Sequence, residues 1–136
     1  MLSRVVDLKI LGESIRSLPP SQWKERMFFS GFKDNELRAH TGSFPATLRT
    51  DKTTHPVFIL GSNSISHVVC PCSSKGSRKK QRYIAKGCAL EMKNHVMDRD
   101  SFLVERYRFT VPLDGRLTSH LQFRGVVPAT CIRGGR

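Results

Sequence analysis

Residues 55–74 read HPVFILGSNSISHVVCPCSS, and this stretch decides the fold class. Pro56-Val-Phe-Ile-Leu60 is an apolar, β-prone run with the length of a buried strand. Gly61-Ser-Asn-Ser64 carries turn chemistry, and His67-Val-Val-Cys70 is a second strand that Pro71 stops. Two strands one turn apart predict a hairpin.

Working outward, residues 102–111, FLVERYRFTV, have the clearest strand composition in the chain. Alternation puts Phe102, Val104, Arg106, Arg108 and Thr110 on one face, with Leu103, Glu105, Tyr107, Phe109 and Val111 on the other. Trp23 and the run Met27-Phe28-Phe29 predict a first core strand ending near Gly31. Tyr83-Ile84-Ala85 begins another strand, a helical turn is expected over 117–123, and GVVPATCI at 125–132 closes the sheet. Residues 2–18 mix strand and helix periods and are read as a short helix that Pro19-Pro20 ends. Residues 33–55 are polar, without a period, and read as a long loop. The expectation is a mainly β (α+β as the variant) single domain over 1–136: a small barrel of five to six strands, its core over 55–132. Residues 1–50 supply a helical extension and the first strand.

Composition narrows the partner. The 136 residues hold 23 Lys and Arg against 11 Asp and Glu, a net charge of +12. Residues 1–50 account for +3 of this and residues 51–136 for +9, so the excess lies in the second part. Phosphates neutralised by such a field release counterions, which drives association with a nucleic acid. No apolar run reaches the roughly 18 to 20 residues that span a bilayer. Asp7 and Lys9 interrupt what would be the apolar segment of a signal peptide, so a cytosolic location is expected. In that setting Cys70, Cys72, Cys88 and Cys131 are expected as free thiols, packed as small apolar residues.

The order of pieces resembles the MazF/PemK toxin family. His55-Pro56 opens an apolar strand where that family has Arg-Pro, and VVCPCSS at 68–74 is similar to its Cys-Pro-x-Thr-Ser motif. A variable basic loop and a charged strand follow, so the resemblance covers about residues 55–111. It implies an SH3-like barrel, a homodimer, an acidic antitoxin-like partner, and metal-independent cleavage of single-stranded RNA by attack of its own 2′-hydroxyl. No cofactor is implied. Carried over by position, the Thr-Ser pair falls on Ser73 and Ser74, the arginine falls on His55, and the charged strand offers Glu105, Arg106 and Arg108. The chain departs from the family in that histidine, in the residues that precede His55, and in lacking a C-terminal helical pattern.

Each residue type suits the chemistry. An imidazole exchanges protons near neutrality, as the base or acid of a transesterification must. Hydroxyls and amides in the bend at Ser73-Ser74 can hold an anion, and Arg106 and Arg108 can grip a phosphate through paired donors. The basic loop supplies Lys75, Arg78, Lys79, Lys80 and Arg82 for backbone phosphates, with Tyr83 at its exit, and Phe44 further upstream, as bases' stacking partners. The competing readings are a solvated basic loop, a binding barrel without catalysis, and a basic face that docks on an acidic protein. A zinc site from His67, Cys70, Cys72, Cys88 and His95 is a weaker rival, because Cys-x-Cys on a strand lacks the usual ligand spacing.

Overall fold

The computed structural model describes residues 18–44 and 53–135. Among them are eight strands in one curled antiparallel half-barrel and a single α-helix. The strands are β1 (Met27–Lys33), β2 (Thr54–Ser62), β3 (Ser66–Ser73), β4 (Arg82–Ile84), β5 (Ser101–Leu103), β6 (Phe109–Pro112), β7 (Gln122–Val126) and β8 (Ile132–Gly134). The helix, α1, spans Asp34–Thr41. The sheet order is β7-β1-β2-β3-β5-β4-β8, with β6 also pairing β3.

The apolar runs of β1 to β3 are continuous because both faces of these strands are covered. Alternation sends Phe29, Val57, Ile59 and Val69 into one core, which Trp23, Leu37, Phe109 and Phe123 complete. The intervening Phe28, Phe58, Cys70 and Cys72 enter a second core, completed by Ile84, Leu90, Met97, Leu103 and Val127. The predicted hairpin is formed: Phe58 faces Cys70 and Ile59 faces Val69 across β2 and β3. Its turn is closed by the Asn63 side chain, whose Oδ1 accepts from the Ile65 and Ser66 amides, each at 2.8 Å.

Four expectations are corrected. The polar stretch after β1 contains α1, held by one buried apolar residue, Leu37, and ended at Gly42 in the left-handed region (φ 80°). Residues 102–111 are not one strand. Leu103 pairs Cys72 and Phe109 pairs Val69, so six steps of chain run beside three steps of β3, and the surplus forms a 3-10 turn at Glu105–Tyr107. β5 and β6 therefore lie end to end along one edge of β3. The turn expected over 117–123 is not helical, and β7 begins there at Gln122. Cys88 and Cys131 are joined in a disulfide, whereas Cys70 and Cys72 are free and buried as expected. The helix read at 2–18 lies outside the described residues, except for Leu18.

The C-terminal segment is short. After a 3-10 turn at Ala129–Cys131, β8 pairs β4 through Tyr83 and Arg133. No helix among the described residues is long and apolar enough to cross a membrane.

Candidate functional site

The end of β1 places an acid beside the predicted histidine. Phe32 pairs His55 and Lys33 pairs Thr54, so the next residue, Asp34, starts α1 directly opposite the beginning of β2. Its amide donates to the Thr53 carbonyl at 3.0 Å. The Asp34 carboxyl is 2 % exposed; it accepts from the Thr53 hydroxyl at 2.7 Å and lies 2.5 Å from His55 Nδ1. A carboxylate can only accept, so Nδ1 donates and Nε2 is the ring nitrogen left to exchange a proton. Phe44 fixes the ring edge-on, with centroids 5.1 Å apart. His55 is therefore half-buried and oriented.

His55 stands between two grooves. One, of about 390 Å³, brings it together with Ser74, His95, Arg99 and Arg124. The other, of about 210 Å³, brings it together with Ser73, Lys75, Gln81 and Arg106. Of the residues singled out from the sequence, Ser73, Lys75 and Arg106 thus share one groove with His55, and Ser74 shares the other. Pro71 does not stop β3, which runs on to Ser73; the bend starts only at Ser74, where the Lys75 amide donates to Ser73 Oγ at 3.1 Å.

Arg108 does not join them. The 3-10 turn at 105–107 breaks the alternation, and Arg108 lines a different groove, with its Nη1 donating to the Glu105 carbonyl at 2.9 Å. Arg106 stays exposed, its guanidinium 5.0 Å from the Tyr107 ring centre.

The basic loop divides in two. Arg78 donates through Nε and Nη2 to Asp100 Oδ2 at 2.9 and 2.7 Å, and lies over the Tyr83 ring. Arg82 forms a two-pronged pair with Glu105 at 2.9 and 2.6 Å. That guanidinium, outweighing partial burial, holds the Glu105 carboxyl below the usual range. Asp100 is lowered too, by the Lys86 amide first and then by Arg78. Lys75, Lys79 and Lys80 are exposed and make no ion pair among the described residues. Neither aromatic expected to stack on bases is free to do so: Tyr83 is buried against Phe102, and Phe44 lies in the first core.

The zinc alternative is not assembled. Cys88 is in the disulfide, and His67 is buried between the Ser62 hydroxyl and the Pro20 carbonyl, each at 2.6 Å. No cluster of three metal-ligating side chains occurs among the described residues. Burial drives the Cys70 thiol far up and pushes Cys72 up to about 12, so both are unreactive at neutral pH.

Two residues of the site had no local signal in the sequence. Asp34 sits in a stretch without periodicity, and only the β1–β2 register reveals its partner. Arg124 reaches the groove from β7, where its Nε donates to Ser30 Oγ at 2.9 Å. Compared with protein-family models, curated proteins and solved structures, the chain matches none.

Proposed function

We propose that this chain is a MazF/PemK-like protein with an SH3-like barrel that binds single-stranded RNA in the grooves around His55 and cleaves it without a metal. The observation that carries this reading is the Asp34–His55 pair set between two grooves that contain Ser73, Ser74, Lys75, Arg106 and Arg124. Nε2 of His55 takes the proton of a ribose 2′-hydroxyl. The freed oxygen bonds to the adjacent phosphorus, the bond from phosphorus to the 5′-oxygen breaks, and solvent supplies the leaving oxygen's proton. Asp34 stabilises the imidazolium formed in that step. Arg106, in the groove it shares with His55, neutralises the extra charge on the pentacoordinate phosphorus, which in a partly closed groove is worth more than in open water.

A second reading, a nucleic-acid-binding barrel without cleavage, is favoured by the Ser73 hydroxyl, which the Lys75 amide already engages. One experiment separates the two. Incubation with mixed-sequence RNA in EDTA yields fragments with 2′,3′-cyclic phosphate ends under the first reading, and a single 2′-deoxy substitution at the cut site abolishes cleavage while binding stays nearly unchanged. Tight binding with intact RNA supports the second reading, and cleavage of all-DNA strands at a comparable rate overturns the mechanism.

A further inference from the structure

Arg26 occupies a backbone position where a side chain is costly. The Met27 amide donates to the Lys24 carbonyl at 3.2 Å, closing a four-residue turn, and Arg26 is its third residue with φ 69°. Glu25 has no positive φ, so the turn is of the type II class, whose third position favours glycine. The conformation is enforced from both sides: the Arg26 amide donates to the Ile59 carbonyl at 2.8 Å, and its carbonyl accepts from the Val127 amide at 2.9 Å. Its Nε is buried without a hydrogen-bond partner. Strained backbone together with an unsatisfied buried donor points to a functional use of that side chain.

That side chain lines a groove of about 600 Å³, with Arg82, Arg108, Glu25 and Glu105 beside it. Phe58, Leu60, Val68 and Ile132 give the groove apolar walls. Three guanidiniums against two carboxylates leave one positive charge in excess, which the single negative charge of a phosphodiester neutralises. A smaller cleft lined by Lys80 adjoins the groove through Arg82 and Glu105, which line both.

We infer that this groove is a second phosphate subsite, in which Arg26 and Arg108 hold a phosphodiester of a nucleic-acid strand and the apolar walls take an adjoining base. The inference extends the RNA reading by a contact remote from His55. Guanidinium forks match phosphate oxygens in pairs, and Arg82, already committed to Glu105, keeps that carboxylate from competing.

The probe is thymidylyl-(3′→5′)-thymidine, which has one phosphodiester and no 2′-hydroxyl, titrated calorimetrically into the purified chain at low salt, with thymidine as control. The dinucleotide is expected to bind at least about tenfold more tightly than thymidine, and Arg26→Gly to lower that affinity about tenfold or more. The same variant should raise Tm, because glycine removes the left-handed strain. Arg108→Gln, which leaves the turn untouched, should also weaken binding. Equal binding of thymidine and dinucleotide, an affinity unmoved by Arg26→Gly, or a lowered Tm in that variant overturns the inference. Loss of binding on Arg106→Ala with Arg26→Gly silent also overturns it, since the phosphate then sits beside His55. The probe cannot be cleaved through a 2′-hydroxyl, so its binding is independent of whether the chain cuts RNA.

Discussion

Nδ1 of His55 lies 2.5 Å from Oδ1 of Asp34, although 21 residues separate the two in the chain. If this pair moves the proton, His55→Ala lowers RNA cleavage by about 10² to 10⁴-fold. Asp34→Asn should cost about 10²-fold or more, because the amide holds the ring less well and does not stabilise its cation. Single-turnover cleavage measures both. Wild-type rates in His55→Ala would move the chemistry to Arg106 and the Ser73-Ser74 bend. Asp34→Ala should additionally destabilise the fold by about 1 to 3 kcal/mol, since Thr53 and His55 lose a buried acceptor.

Lys79 and Lys80 are, with Lys75, the loop cations that make no ion pair among the described residues, whereas Arg78 and Arg82 are already paired. Replacing both lysines by alanine should therefore lower the slope of log K against log salt by about 1 to 2 for single-stranded RNA. Fluorescence anisotropy over a salt series checks this. A flat salt response in the wild type would remove nucleic acid as the main partner.

Glu36 fastens α1 to the segment before β7, accepting from the Thr118 and Ser119 amides at 2.8 Å each and from the Ser119 hydroxyl. Burial alone would raise its carboxyl, but these hydrogen bonds prevail and hold it below the ordinary value. A depressed folded-state value means that the stabilisation is complete above the unfolded carboxylate range, near pH 4.3, and fades as pH falls through the lower folded value. Glu36→Gln should cost about 1 to 2 kcal/mol at neutral pH, and the gap to wild type should close in acid. Urea unfolding at both ends of that range tests the sign.

The Cys88–Cys131 bond closes 43 residues of sequence and ties the segment before β8 to the second core. Reduction, or Cys131→Ser, should cost about 2 to 4 kcal/mol of stability. Thermal unfolding with and without reductant reads the difference directly. Disulfides persist in oxidising compartments, so in a reducing cytosol the chain would lack this increment.

The hairpin was legible because two apolar runs flank unambiguous turn residues, but its second strand passes through Pro71 to Ser73, since neighbouring strands hold it beyond the residue that lacks an amide donor. α1 was hidden because Leu37 is its one buried apolar residue, too few to set a helical period. The break at 105–107 was hidden for the opposite reason: strand-prone residues continue through it, and only the lengths of chain beside β3 show that three must leave the ladder. Within the site, the residues of the VVCPCSS stretch and His55 were found by their order in the chain. Asp34 and Arg124 depend on strands adjacent in space, which no local pattern encodes. The pairing of Cys88 with Cys131 likewise depends on β4 and β8 lying side by side.

The detour at Glu105–Tyr107 leaves and rejoins the same edge of β3, so its length is set by nothing in the ladder it interrupts. Its side chains are not equally free: Glu105 pairs Arg82 and Tyr107 packs against Phe44 and the first core, so Arg106 is the one exposed side chain of the turn. The arginine within it, Arg106, faces the His55 groove, and the one at its exit, Arg108, faces the groove of Arg26. A change at Arg106 or at Arg108 therefore alters the charge of one groove at a time and leaves both cores untouched.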